Sequence, residues 1–185
     1  MKDKSTKPIM KQSAKMKIAD AAKELLCTMT EEELTMSLVA ERLGITAPTL
    51  YHYFVGKDEL LEAANKLTST EITDIALRKF PKSIPNEMKI IMIMSEVIDY
   101  FKSTNLPASY LIENPLDKKS LNLDEFRKAI ADLFLEYYKS KGKNPGAKRS
   151  AYQYIGAIAA EIAYCRGTKH ELPEDLAGKI FAKMK

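Results

Sequence analysis

The chain has 185 residues, 45% of them apolar, with 7 Gly, 8 Pro and a formal net charge of +4. That size suits one or two small domains with a real core, and abundant Ala, Leu, Lys and Glu point to a helical protein rather than a sheet or a disordered chain. Two cysteines, Cys27 and Cys165, far apart and without a CxxC pair, argue against a disulfide framework or a zinc site.

Each cysteine lies among apolar residues at helical spacing, so both are expected to be small buried hydrophobes. No apolar run approaches the roughly 20 residues a membrane span needs. The lysine-rich start lacks the apolar core of a signal peptide, so the cytoplasm is the expected location, and no membrane partner is expected. Charge is unevenly placed. Residues 1–17 carry six lysines against Asp3, or +5, whereas residues 18–57 carry three basic groups against six acidic ones, or −3. A basic arm ahead of a compact domain suits attraction to phosphate, and a solvated tail fits the same composition.

Along the chain, residues 14–29 carry Ile18, Ala22, Leu25, Leu26 and Met29 at a helical period. TEEEL breaks that pattern. Thr35 then caps a short helix, MSLVAERL, which ends at Gly44. A second short helix holds Leu50 and Phe54. Gly56 opens a long helix over 57–79, ended by Pro81 and Pro85. The next helix, 86–103, has Met88, Ile91, Met92, Ser95, Ile98 and Phe101 on one face. Residues from Leu106 to Pro115 are irregular or a short helical turn. Residues 120–140 carry Leu123, Phe126, Ile130, Leu133, Phe134 and Tyr137 in one stripe. KGKNPG marks a loop, 147–166 is another helix, and Pro173 opens the last one at its first position. No strand shows convincing alternation. The expected fold is all-α, with about nine helices: three short ones, then a bundle of longer ones.

The informative stretch is LGITAPTLYHYFVGKDELL. Ala40 is small and lies one turn before Gly44, so another helix can cross closely there. Gly44 can take the left-handed conformation that ends a helix. Ile45 plugs the turn, while Leu50 and Phe54, four apart, face inward. Residues 35–54 therefore read as a helix-turn-helix, whose second helix enters the DNA major groove; an ordinary helical hairpin is the plainer alternative. Thr46 can cap the second helix with Pro48 at its second position, where a missing N–H costs little. Because Ala47 precedes a proline, a start one residue later is the other reading. Lys57 sits at the positive end of the long helix, where a cation is disfavoured by up to about 1 kcal/mol. A DNA phosphate nearby would reverse that sign, and a side chain pointing into water would escape it.

TAPTLYHYFVGKDELLEAA, with TMSLVAERLGI before it, resembles the DNA-binding domain of the TetR family of transcriptional regulators. The resemblance covers roughly residues 12–72. It implies a three-helix DNA-binding domain there and a helical ligand-binding and dimerisation domain over 73–185. It also implies that Thr46, Tyr51, Tyr53 and Lys57 bind phosphate, that Ala47, Pro48 and Thr49 approach base edges, and that Ser37 reaches the backbone. His52 fits either packing or solvent. Val55 departs from the family pattern, since many members carry a basic or polar residue there. Ala47 and Pro48 can offer only apolar contact, best to a thymine methyl, which leaves specificity to Thr49, water and DNA shape.

Helix-turn-helix proteins usually read DNA as dimers. On 147–166, Ala151, Ile155, Ile158, Ile162 and Cys165 form a core stripe, and Tyr152, Gly156, Ala159, Ala160 and Ala163 form a second stripe of mostly small residues. The second suits close approach to another subunit, with a fully buried helix as the alternative. The last helix offers Leu176, Ile180 and Phe181, and the resemblance implies a four-helix dimer bundle. It also implies an effector pocket among the methionines and rings, with Met92, Phe101, Phe134 and Tyr137 as candidate ligand contacts; plain core is the competing role for each. Two histidines, His52 and His170, and no HExxH, ExxH or GxSxG give no converging catalytic group. No cofactor, metal or enzymatic activity is expected. A protein-binding adaptor that lost DNA binding is a further reading, opposed by Thr46, Thr49, Tyr51 and Lys57. The expected function is a dimeric repressor on a palindromic operator, responsive to an unidentified small molecule.

Overall fold

The first helix, α1 (Thr6–Leu26), starts eight residues earlier than the apolar pattern suggests. The structure is a computed structural model and describes residues 6–104, 106–112, 121–142 and 146–184. Pro8 is tolerated because N–H groups of a first turn have no intrahelical partner. The early turns leave no stripe in the sequence because residues 12–17 are exposed or half-buried; only from Ile18 does α1 meet the core. From Thr6 onward the basic segment is thus helix. Lys2 and Lys4, with the side chains of Lys7 and Lys11, lie outside the described residues, as do Pro115 and residues 143–145 of the KGKNPG loop.

Described residues up to Ser69, with Leu121, form one compact unit, and the remainder from Thr70 form another. In the first unit, TEEEL forms a turn closed reciprocally: the Thr30 N–H donates to Glu33 at 2.8 Å, and the Glu33 N–H donates to the Thr30 hydroxyl at 3.4 Å. Thr35 caps α2 (Met36–Arg42), its hydroxyl oxygen accepting the Leu38 N–H at 3.2 Å. The helix ends as expected at Gly44, whose φ is +65°. Ile45 N–H donates to Ala40 O and Gly44 N–H to Glu41 O, both at 3.0 Å, the paired bonds of a Schellman end. A Cβ at Gly44 would meet no atom within 4 Å, so only backbone strain opposes a side chain there. Gly44→Ala should therefore cost about 1–2 kcal/mol in urea unfolding, and Gly44→Asn appreciably less.

Helix α3 (Ala47–Tyr51) follows, then α4 (Lys57–Leu77). Phe54, expected inside the second short helix, lies beyond its end at Tyr51, yet is 2% exposed. Leu50, Phe54, Leu60 and Ala64 join Ile18, Ala22, Val39 and Ala40 in the core of this unit.

In the second unit, α5 (Asn86–Ser103) buries the expected Ile98 and Phe101 together with Ile90, Ile93, Met94 and Val97. This corrects the expected face: Met88 and Met92 are 49% and 42% exposed. The helix is apolar on most sides, so two overlapping stripes fit the period, and only tertiary packing chooses between them. A 3-10 turn (Ala108–Leu111) leads towards α6 (Asp124–Ser140). Arg127 of α6, unexpectedly 2% exposed, bonds Asp124 Oδ1 at 2.7 Å and the carbonyls of Tyr110 and Leu111, pinning the 3-10 turn to α6.

Helix α7 (Ala147–Thr168) buries the expected Ala151, Ile155, Ile158, Ile162 and Cys165. Its residue Arg166 donates to the carbonyls of Phe101, Thr104 and Leu106, satisfying the C-terminal end of α5. Cys27, on the other hand, is only half-buried. Helix α8 (Leu176–Lys183) starts three residues after Pro173, because Asp175 caps it by accepting the Gly178 N–H at 3.3 Å. Phe134, Tyr154 and Phe181 meet with ring centroids 5.6–5.7 Å apart, and the Tyr154 hydroxyl donates to Ala177 O at 2.8 Å. Burial pushes that hydroxyl's pKa well up, which keeps it a neutral donor. No strand occurs among the described residues.

Candidate nucleic-acid interface

Thr46, in extended geometry, caps α3 by accepting the Thr49 N–H at 3.4 Å, and Pro48 falls within the first helical turn. The helix thus starts at Ala47, the first of the two expected positions. The hydroxyls of Thr46 and Thr49 lie 2.8 Å apart and share one hydrogen bond. With Leu50 at 0% exposure holding the inner side, the outer side presents Thr46, Pro48, Thr49 and Tyr51, the last 54% exposed. Ser37, in the first turn of α2, is exposed as well.

The remaining predicted contacts divide their surface. Ala47 and Tyr53 are half-buried and pack against the core of this unit, so Tyr53 is partly a core residue. Lys57 is half-buried too, with one N–H of its ammonium on Glu32 O at 3.2 Å. That carbonyl lies in the turn before α2, so Lys57 ties the start of α4 to it rather than pointing only into water. His52 is exposed at the end of α3, and Val55 is 89% exposed.

Glu59 suits the first turn of α4 on sequence grounds, but its ties to Lys15 and Val55 are not legible there. Glu59 accepts the Val55 N–H at 2.7 Å and the Lys15 ammonium at 2.8 Å. Lys15, then the Val55 N–H, hold its carboxyl below the usual glutamate range. The stability these bonds supply is present at neutral pH and is lost as pH falls through that lowered value. The sequence signal was an acid three residues after Gly56 at a helix start. Nothing local announced Lys15, 44 residues away. Arg42 of α2 also pairs with Glu24 of α1, at 2.7 Å.

Of the residues expected around an effector, Phe101, Phe134 and Tyr137 are buried, and Met92 lies on the exposed side of α5. Phe134 and Tyr137 are filled in by Phe181, at 5.6 and 5.3 Å between ring centroids. Two cavities open elsewhere in this unit. One, of about 470 Å3, is lined by Lys102, Cys165, Arg166, Lys169, His170, Glu171 and Leu172. The other, of about 670 Å3, lies between α6 and the start of α7 and includes Arg127, Lys128, Asp132, Lys148 and Tyr152. Neither is lined by the four expected residues. On α7, Tyr152, Ala160 and Ala163 are exposed and Gly156 is half-buried. Ala159 is 3% exposed and belongs to the inner face, since it follows Ile155 by four and precedes Ile162 by three. Among the described residues, no group of three or more His, Cys, Asp or Glu could hold a metal, and no helix is long and apolar enough to cross a membrane.

No protein of curated function matches the chain in sequence. The family described as bacterial regulatory proteins, tetR family, matches residues 18–64, the stretch that holds α2, α3 and the start of α4. A tetR-family transcriptional regulator from Streptomyces coelicolor is similar in structure, with a TM-score of 0.75 at 19% identity, covering 94% of this chain and 79% of that one. The regulator FadR from Bacillus subtilis, in complex with stearoyl-CoA, gives 0.73 at 16% identity, covering 91% of this chain and 96% of that one. RolR in complex with resorcinol gives 0.59 at 11% identity, covering 95% and 87%. The chain therefore carries a TetR-family helix-turn-helix domain at its N-terminus, within the all-helical fold of the TetR-family transcriptional regulators.

Proposed function

We propose that the protein is a sequence-specific DNA-binding transcriptional regulator, a repressor that binds a palindromic operator as a homodimer in the cytoplasm. The observation that carries this reading is the outer side of α3, where Thr46, Pro48, Thr49 and Tyr51 stand exposed over the fully buried Leu50. In the major groove, Thr49 and Pro48 meet base edges, with Ala47 at the margin. Thr46, Tyr51, Tyr53, Lys57 and Ser37 contact phosphate. The outer face of α7, with exposed Tyr152, Ala160 and Ala163 and half-buried Gly156, is the dimer contact.

A small molecule acts as effector in the second unit and favours a conformer that spaces the two recognition helices wrongly for the operator. Support comes from the stearoyl-CoA and resorcinol bound by two proteins of similar fold. Helix α4 runs from one unit into the other and is the natural route for that coupling.

A gel-shift with DNA from upstream of the protein's own operon tests the reading. It should show a complex that weakens steeply with salt, and no shift with any such fragment would refute it. Lys57→Ala should weaken binding to all sequences alike and lower the salt slope by about one. A changed sequence preference in quantitative titrations would refute a phosphate role for Lys57.

A further inference from the structure

The segment from His52 to Gly56 joins α3 to α4, carries Tyr53 and leads into Lys57, yet it belongs to no helix. Val55, 89% exposed, gives it no side-chain anchor. The Tyr53 and Phe54 N–H groups donate to Leu50 O at 2.9 and 3.1 Å, and the Tyr53 ring packs on the core, which fixes its start. Two further features hold the rest. Phe54 is buried, and Glu59 reaches back from the first turn of α4 to accept the Val55 N–H at 2.7 Å. The other oxygen of Glu59 takes the ammonium of Lys15 from α1 at 2.8 Å. That ammonium also lies 5.0 Å from the centre of the Phe54 ring. Three parts of the unit, α1, the turn and α4, therefore converge on one carboxylate.

An acid this close to groups that would bind phosphate repels DNA unless it is neutralised, and Lys15 neutralises it. Its bond to the Val55 N–H is charge-assisted, the stronger and shorter class of hydrogen bond. Phosphate contacts at Tyr51, Tyr53 and Lys57 need their donors within a few tenths of an ångström of the right place. We propose that Glu59 is a positioning residue for DNA binding: through Val55 and Lys15 it fixes the turn that presents Tyr51, Tyr53 and Lys57, without touching DNA. This inference rests on the DNA-binding reading above.

The test measures binding of the full-length protein to its upstream DNA by fluorescence anisotropy over a salt series, at a temperature where circular dichroism shows each variant folded. Glu59→Ala removes both bonds and should weaken binding about tenfold. Glu59→Gln keeps an acceptor for Val55 but loses the ion pair, and Lys15→Met loses the same pair from the other side. Each should weaken binding about threefold, and the Glu59→Gln, Lys15→Met double variant no more than either alone. Lys15→Arg should restore wild-type affinity. The salt slope should not change in Lys15→Arg or in the double variant, because both keep the local net charge and neither removes a phosphate contact. Amide exchange at Val55 should quicken in Glu59→Ala.

Wild-type affinity in all of the folded variants would overturn the inference and leave the DNA-binding reading intact. A salt slope lower by about one in the double variant, where the local net charge is unchanged, would make Lys15 a phosphate ligand and also overturn it. A wild-type protein that binds no DNA would instead sink the parent reading, and this one with it.

Discussion

Leu50→Ala is expected to abolish specific DNA binding and to destabilise the N-terminal unit by about 2–5 kcal/mol. Helix α3 has five residues, far below the length at which a helix persists alone in water. Its caps do not compensate: Thr46 satisfies one N–H at 3.4 Å, a long bond. The one side chain of α3 that is fully buried is Leu50, at 0% exposure. Truncating it leaves a cavity beneath the helix and frees the face that carries Pro48 and Thr49. The second unit has its own core and should stay folded. Thermal unfolding followed by circular dichroism should thus show an early loss of part of the helical signal, and a gel-shift with upstream DNA should show no complex. Near-normal DNA affinity in this variant would contradict the role given to α3.

Phe181→Ala should cost about 3–5 kcal/mol, read as a fall in the urea midpoint of the second unit. Helix α8 has eight residues and buries three of them, Leu176, Ala177 and Phe181. Phe181 is the large one. Its ring meets Phe134, Tyr137 and Tyr154 with centroids 5.3–5.6 Å apart, and the Tyr154 hydroxyl reaches the α8 backbone at Ala177. Removing the ring takes the contacts from three aromatic neighbours and exposes the hydroxyl's bond to competition from water. A loss below about 1 kcal/mol would show that the neighbouring rings collapse into the space.

The parts of this structure that were legible in the sequence are those specified by neighbouring residues. Thr35, Gly44 and Thr46 announce themselves because a cap or a left-handed turn is a local requirement of the backbone. The inner stripe of α7 was legible because its outer side is filled with small or polar residues, which leaves one apolar reading. On α5 the sides are too alike, so the face with Met88 and Met92 fits the period as well as the one with Ile90, Ile93 and Val97 that is buried. The start of α8 was misplaced because a proline signal at 173 competed with the Asp175 cap, and the cap won. Long-range polar ties stayed hidden altogether. Lys15 and Glu59 are 44 positions apart, and Arg166 caps α5 from more than 60 positions away. Single charged residues at such separations have no local partner to betray them. Nor could the sequence tell that Ala47, Tyr53 and Lys57 would divide their surfaces between the core and the exposed side.

Whether a dimer reads DNA through α3 is tested most directly by selecting bound sequences from a random double-stranded pool with the wild-type protein. The wild-type protein should enrich an inverted repeat whose half-sites are centred about 10–10.5 base pairs apart, or a multiple of that spacing, and Leu50→Ala should lose that enrichment. Recovery of no preferred sequence, or of the same sequence with Leu50→Ala, would contradict this reading.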